Sequence, residues 1–309
     1  MRLLDAGQGR YHAEAASGDG TEVMGGCGMG STRGEPEVAH GPASTGDPPS
    51  EAAASDRPAE PASAPERPRL RRLTLESNTE IAPSIYVLTW KLPEEDPITF
   101  APGQYVTFYL KRDGRSLTRS YSIFSSARRH DRLSLLIKKV PQGFGSHYLT
   151  ALDPLRTPTL SVLAPLGRFV LHDPEGRTMV LVATGVGVAP FLPMLERLHD
   201  KHPDTPVSLF CGTRFREEFV DRPFFELLER EWPNFRFVPV LSRPPEDGSW
   251  NGAVGHVEEA LRAHFPDLSG ADVYLCGANR MVNETQGLAL ELGAKKDRIF
   301  VDRWGEHAD

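Results

Sequence analysis

Residues 179–195 form the longest apolar run in the chain, and the residues that interrupt it restrict what it can become. The run is about as long as a short membrane span. Yet Thr184 sits at its centre, and Gly185, Gly187, Pro190 and Pro193 break it. It therefore reads as a buried strand over 179–183, a glycine turn and the start of a helix. Pro190 suits a first helical turn, where its missing N–H is not needed. A strand, a glycine turn and a helix N-terminus together present N–H groups to an anion such as a pyrophosphate. The spacing departs from G-x-G-x-x-G, because Pro190 stands where the third glycine would be. Alone, the turn leaves a nucleotide site and a plain connection equally open.

The residues beyond this run fix the class of the second half. Strand-like runs at 207–211, 235–241, 273–276 and 298–301 alternate with helical patterns at 224–231, 257–265 and 281–292. Strands alternating with helices predict an α/β doubly wound parallel sheet. Such sheets bind ligands beyond the carboxyl ends of their strands, at the switch in strand order. Thr213 and Arg214 lie beyond one strand and Cys276 and Gly277 end another, so both pairs belong at that edge.

The preceding half is different. Short strand-like runs at 72–77, 85–91, 104–110 and 132–139 are separated by turn residues such as Asp96-Pro97 and Pro102-Gly103. Further runs at 159–164 and 167–170 complete the set. This spacing predicts an all-β antiparallel barrel of Greek-key type. Within it lie Arg119, Ser120, Tyr121 and Ser122. Side chains alternate along a strand, so Arg119 and Tyr121 share one face and the two serines the other. An arginine beside a flat aromatic can hold a phosphate and stack a planar ring of one ligand. Tyr121 packing against the barrel is the competing reading. Gly143 and Gly145 then allow a tight turn, with Ser146 as the N-cap of a short helix.

Residues 1–66 stand apart. Tyr11 is the sole aromatic there, and Leu3, Leu4, Val23 and Val38 are the only branched aliphatics. Such a composition cannot offset the entropy of ordering, so a disordered tail is expected. Its Cys27 lacks metal-ligand partners. With Cys211 and Cys276 it makes 3 cysteines in the chain, too few for a disulfide framework or an iron–sulfur centre. No secretory signal is visible, and a cytoplasmic location is expected. A formal net charge of −7 argues against nucleic acid or an anionic membrane as the main partner. The expected organisation is a tail over 1–66, a barrel over 67–172 and a nucleotide-binding domain over 173–309.

Six short motifs in this order give the chain a likeness that no single motif gives. They are Pro102 to Tyr105, Arg119 to Ser122, Gly145-Ser146, Gly185 to Pro190, Cys276-Gly277 with Met281, and Asp302 to Trp304. Together they resemble the ferredoxin–NADP reductase superfamily over roughly residues 70–304. The resemblance implies a flavin between barrel and nucleotide domain, FAD rather than FMN. In that reading Arg119 holds the flavin phosphate, Tyr121 stacks on the isoalloxazine, and Ser122 bonds near N5, with Ser120 beside them. Ile137 and Lys138 lie along the ribityl and pyrophosphate, and Gly145 and Ser146 cap the pyrophosphate. Thr184, Gly185, Gly187 and Pro190 receive the nicotinamide nucleotide. Cys276 sits by the nicotinamide ring with Gly277, or else is an inert buried thiol. Trp304 shields the flavin or simply packs on the barrel.

Tyr121, Ser122 and Cys276 are thus the residues expected at the reaction centre, with no side-chain acid or base obviously required. No metal site is expected. Arg214, Arg216 and Arg243 lie where a 2′-phosphate would rest, which favours NADPH over NADH; Arg214 paired to a carboxylate and Arg216 in solvent is the alternative. The implied activity is an FAD-dependent NAD(P)H oxidoreductase that passes single electrons to a separate carrier. That carrier would be ferredoxin, flavodoxin or the oxygenase partner of a reductase. A dedicated electron-transfer subunit of a larger complex is the other class. Lys111, Arg112, Arg115, Arg128 and Arg129 are a basic set that could dock an acidic carrier, or ordinary solvated charges.

Overall fold

A computed structural model of the chain describes residues 66–112 and 114–304. The tail expected over 1–66, Cys27 included, lies almost wholly outside the described residues. The first layer is antiparallel. It comprises β1 (Arg69–Ala82), β2 (Ile85–Lys91), β3 (Tyr105–Arg112), β4 (Arg115–Ser122), β5 (Arg132–Lys138) and β6 (Thr159–Leu166), in the order β4-β3-β6-β1-β2-β5. An antiparallel bridge between Ile123, just past β4, and Leu135 on β5 joins the two outer strands and closes the barrel.

Alternation sets its interior. Val106, Phe108 and Leu110 on β3 point inward and are buried, while Tyr109 between them is exposed. Phe108 meets Trp90 at 5.3 Å between ring centroids and Tyr121 edge-on at 6.1 Å. Tyr121 therefore rests on the barrel core with its other surface partly open. The run expected as a strand at 167–170 is not one. Gly167 has a φ of +107°, and its backbone is packed against the Tyr105 ring so closely that a Cβ would lie 2.9 Å away. The chain turns there instead of pairing. A short helix, α1 (Phe144–Thr150), covers the barrel next to β5.

The second layer is parallel: β7 (Thr178–Thr184), β8 (Val207–Thr213), β9 (Phe235–Leu241), β10 (Ala253–Val254), β11 (Ala271–Ala278) and β12 (Ile299–Trp304). Helices α2 (Phe191–Lys201), α3 (Arg222–Glu231), α4 (Val257–His264) and α5 (Asn279–Glu291) connect them. The order β10-β9-β8-β7-β11-β12 places the switch between β7 and β11. Both faces of the sheet are covered, so its strands are nearly continuous apolar runs, as parallel sheets require. The two-residue β10 had no legible signal. No helix among the described residues is long and apolar enough to cross a membrane.

The two layers share apolar packing. Ile85, Val87, Phe124, Leu136 and Phe169 from the barrel side belong to one buried cluster with Phe191, Met194 and Leu195 of α2. Phe108→Ala empties the barrel centre and should lower stability by about 3–5 kcal/mol. Denaturant unfolding monitored by tryptophan fluorescence reads this, and a loss under about 1 kcal/mol would contradict the packing described.

Candidate functional site

Strand register brings the site together. Ala183 pairs with Cys276, Cys276 with Asp302, and Thr184 with Gly212. The carboxyl ends of β7, β8, β11 and β12 thus lie along one edge, at the switch point. The turn after β7 is a 3-10 segment, Gly185–Val188, with Pro190 as the N-cap of α2. Gly187 touches the end of β11: a Cβ there would lie 2.3 Å from the Cys276 carbonyl oxygen. Gly277 faces back, where a Cβ would lie 2.3 Å from Thr184 Oγ1. That hydroxyl also accepts the Ala278 N–H at 3.4 Å. Two strand ends can meet this closely only because both approaching residues lack side chains.

Beside this contact is a cleft of about 560 Å³. Thr184, Gly185, Arg214 and Arg243 line it, as does Lys138 from the barrel. Glu218, an acidic residue near the end of the second strand of this sheet, lines it too, as do His256, Glu258 and Arg280, for which the sequence pattern predicts no role. Arg280 was legible in principle, being placed just after Cys276 and Gly277 at the helix start. Glu218 lies at the centre of the cleft's charge. Its carboxylate accepts from Lys138 Nζ at 3.1 Å and Arg214 Nη2 at 3.3 Å, and from the Arg214 backbone N–H. Burial pushes this carboxyl up, but Lys138 and Arg214 outweigh it and hold it below the usual range. Arg243 lies over the exposed Phe215 ring at 5.8 Å. Arg216 is taken up elsewhere, donating to Ser249 and lying 5.7 Å from the Trp250 ring centroid.

On the barrel side, β4 turns Arg119 and Tyr121 to its more buried face and Ser120 outward, where Ser120 bonds Thr107 at 2.9 Å. Arg119 and Gly145 are in direct contact: a Cβ on Gly145 would lie 2.5 Å from Arg119 Cγ. The expected cap is corrected here. Gly143, not Ser146, is the N-cap of α1. Ser146 sits in the first turn, accepting from the Val140 N–H and donating to the Gly143 carbonyl. Its short hydroxyl thus ties the turn instead of starting the helix. Ile137 is wholly buried in the barrel core, so only its backbone can reach a ligand. Lys138 turns the other way, toward the nucleotide cleft. The Trp304 backbone pairs with Ala278 at the end of β12; its side chain lies outside the described residues.

Between the layers lies a carboxyl group. Asp302 Oδ2 accepts from Ser122 Oγ at 3.4 Å and faces Cys276 Sγ at 3.9 Å. Burial raises its pKa, while the Ser122 and Cys276 contacts pull the other way without cancelling the rise. A carboxyl group therefore stands beside the two residues expected at the reaction centre. Tyr121 is pushed up to about 12 by burial, which outweighs the pull of Arg119, so it stays protonated. Cys276 is buried, and so is Cys211, whose thiol burial pushes up to about 12.

Comparison with known proteins agrees with this construction. Residues 72–171 match the oxidoreductase FAD-binding domain family, and residues 181–287 the oxidoreductase NAD-binding domain family. Ferredoxin–NADP reductase B of Sorangium cellulosum (strain So ce56) is 30% identical over 231 residues, covering 72% of this chain and 93% of that protein. The chain belongs to the ferredoxin–NADP reductase family. It is an FAD-dependent NAD(P)H oxidoreductase. The reductase component of phenol 2-monooxygenase from Pseudomonas sp. (strain CF600) is 28% identical, covering 74% of this chain and 64% of that protein. This reductase therefore spans less than two thirds of that relative. A cytochrome P450 reductase of Amycolatopsis superposes with a TM-score of 0.70 at 28% identity, covering 77% of this chain and 71% of that one. A ferredoxin–NADP+ reductase from Neisseria gonorrhoeae with bound FAD and NADP shares the fold, with a TM-score of 0.63 at 21% identity and coverage of 76% and 98%.

The residues present fit an FAD. The bare Cα of Gly145 lets the Arg119 stem lie against the start of α1, and Arg119 Nη1 donates to the Thr118 carbonyl at 2.9 Å. The first intrahelical bond of α1 is donated by His147 to the Gly143 carbonyl, so the N–H groups of Gly145 and Ser146 precede the helix's own bonding, as at any helix N-terminus that receives an anion.

Asp302 gives a pH signature. With its folded pKa raised, the unfolded chain loses this proton first, near about 3.9. Stability therefore falls as pH rises through the folded pKa. Asp302→Asn should remove that fall, so its stability relative to the parent grows with pH across this window and then levels off. Unfolding across that range measures it; a pH-independent difference would contradict the burial argument.

Proposed function

We propose that this reductase takes a hydride from NADPH into FAD and delivers single electrons to a separate carrier, ferredoxin being favoured. The observation that carries this is the cleft at the carboxyl edge of the parallel sheet, where Lys138 of the barrel joins Arg214, Arg243 and Arg280, with the Ser122–Asp302–Cys276 contact joining the two layers. When bound, the flavin supplies the change from two-electron to one-electron chemistry. The protein supplies place and charge. Arg119 holds the flavin phosphate, with backbone N–H groups at Gly145 and Ser146. Tyr121 gives its ring as a flat neutral surface. Ser122 Oγ donates toward Asp302 Oδ2, so a proton can be held at that carboxyl and exchanged with the serine. Thr184, Gly185 and Gly187 shape the nicotinamide end, and buried Cys276 keeps water from it.

Arg214 and Arg243 are the 2′-phosphate ligands in this reading. Glu218 supports a second one: its carboxylate would repel a phosphate and accept from a ribose hydroxyl, favouring NADH. Losing a charge-assisted contact costs about 1.5–3 kcal/mol, roughly tenfold to a hundredfold. Under the first reading, Arg214→Ala lowers kcat/KM for NADPH by that factor and for NADH by less than about threefold. Equal losses for both would count against the phosphate role. If the parent already prefers NADH and Glu218→Gln restores NADPH use, the second reading holds.

For the carrier, the basic set divides. Lys111 and Arg115 are exposed on β3 and β4, Arg112 lies over Phe144 at 5.2 Å, and Arg128 is engaged with α2. The first two support docking of an acidic carrier, with an oxygenase component as the alternative to ferredoxin. Reduction of each candidate carrier should fall steeply with salt. A reductase whose turnover with every carrier ignores salt would leave these residues without that role.

A further inference from the structure

Hydride transfer needs the barrel and the nucleotide sheet held at one angle, because an error of about 1 Å between reacting atoms costs on the order of a hundredfold. The polar contacts at the centre itself are long, 3.4 Å from Ser122 and 3.9 Å from Cys276 to Asp302. The Lys138–Glu218 pair also joins the layers, but it lies in the cleft that receives the nucleotide. A much tighter junction lies away from the cleft. Glu196 on α2 is 5% exposed, an unusual burial for a carboxylate. Ser126 Oγ, in the segment between β4 and β5, lies 2.6 Å from each of its oxygens. Arg128 Nη1 is 3.7 Å from the same group and pairs through Nη2 with Asp200, one turn further along α2. The Arg128 backbone N–H donates to Ser126 Oγ at 3.2 Å, which fixes the hydroxyl.

We propose that Glu196 is a positioning residue, which sets the angle between the layers and hence the approach of nicotinamide to flavin. Its helix begins at Phe191, directly after the Gly185–Val188 turn and Pro190, so a shift of α2 moves the turn that shapes the nicotinamide end. Leu195 and Met194 beside it already pack against the barrel side, and apolar contacts slide more readily than a buried carboxylate fixed by a hydroxyl and a guanidinium. Because the junction shares no residue with the cleft, it persists when nucleotide displaces the Lys138–Glu218 pair. The inference rests on the site proposed above, since it assumes the hydride crosses there.

The test uses the full chain loaded with FAD, and its apoprotein, comparing the parent with Glu196→Leu, Glu196→Gln and Ser126→Ala. Anaerobic single-turnover mixing with reduced nucleotide gives the limiting rate of flavin reduction and the nucleotide Kd separately. In Glu196→Leu the rate should fall on the order of tenfold or more, with Kd changed less than about twofold. Glu196→Gln, which keeps the hydrogen bond to Ser126, should recover most of the rate. In the apoproteins, hydrogen exchange of residues 125–129 should quicken in Glu196→Leu and Ser126→Ala. A folded Glu196→Leu variant with the parent rate and unchanged exchange would overturn the proposal. So would a loss expressed only in Kd. If the parent itself reduces no flavin, the site assignment fails instead. Should Glu196→Leu not fold, Ser126→Ala carries the same comparison from the barrel side.

Discussion

The approach of the Gly187 backbone to the Cys276 carbonyl is the constraint on which the rest of the site depends. A parallel sheet delivers its strand ends to one edge, but a usable site also needs the turn after β7 to lie against the end of β11. Glycines at 187 and 277 permit that contact, and Thr184 Oγ1 reinforces it through the Ala278 N–H. The turn then feeds α2, α2 reaches the barrel through Phe191, Met194 and Glu196, and the barrel carries Arg119 to Ser122. A local steric condition thereby fixes where α2 starts, and α2 is the helix that reaches the barrel.

Charge in the cleft obeys a similar logic. Lys138 comes from the barrel, Arg214 and Glu218 from beyond β8, and Arg280 from the start of α5. Arg280 is itself ringed, with Glu284 at 2.6 Å and His256 at 3.5 Å. Burial raises the Glu258 carboxyl nearby, helped by its neighbour Glu284. Cations in such company are held in place before a ligand arrives, which lowers the ordering cost of binding an anion. The same carboxylates would compete with that anion, and Glu218 already pairs with Arg214.

Much of this was legible from residues alone, and the exceptions have physical causes. The barrel and the doubly wound sheet are written in strand spacing and in the switch to alternating strands and helices at Thr178. The family is written in ordered short motifs, none sufficient singly. What was hidden depends on contacts between elements distant in sequence. Asp302 meets Ser122 across 180 positions, and Glu196 meets Ser126 across 70. No periodicity reports such pairs. Ser146 resembles an N-cap because a serine precedes an apolar run there, whereas Gly143 starts the helix and the hydroxyl folds back on the turn. The segment at 167–170 has strand-like composition, but the positive φ of Gly167 turns it away from the sheet. Arg128 has the character of a docking residue in sequence, and only its partners on α2 show that it belongs to the junction between the layers.

The proposed function turns on whether Arg119, Tyr121 and the turn at Gly145 grip a flavin against the edge of the parallel sheet. The most direct measurement is the visible absorption of the purified chain, with and without added FAD or FMN, alongside Arg119→Ala. The parent should be yellow, bind FAD and bleach when NADPH or NADH is added without oxygen. The Arg119→Ala variant should fold, and the flavin should wash out of it. A colourless parent that takes up neither flavin would contradict the proposed function.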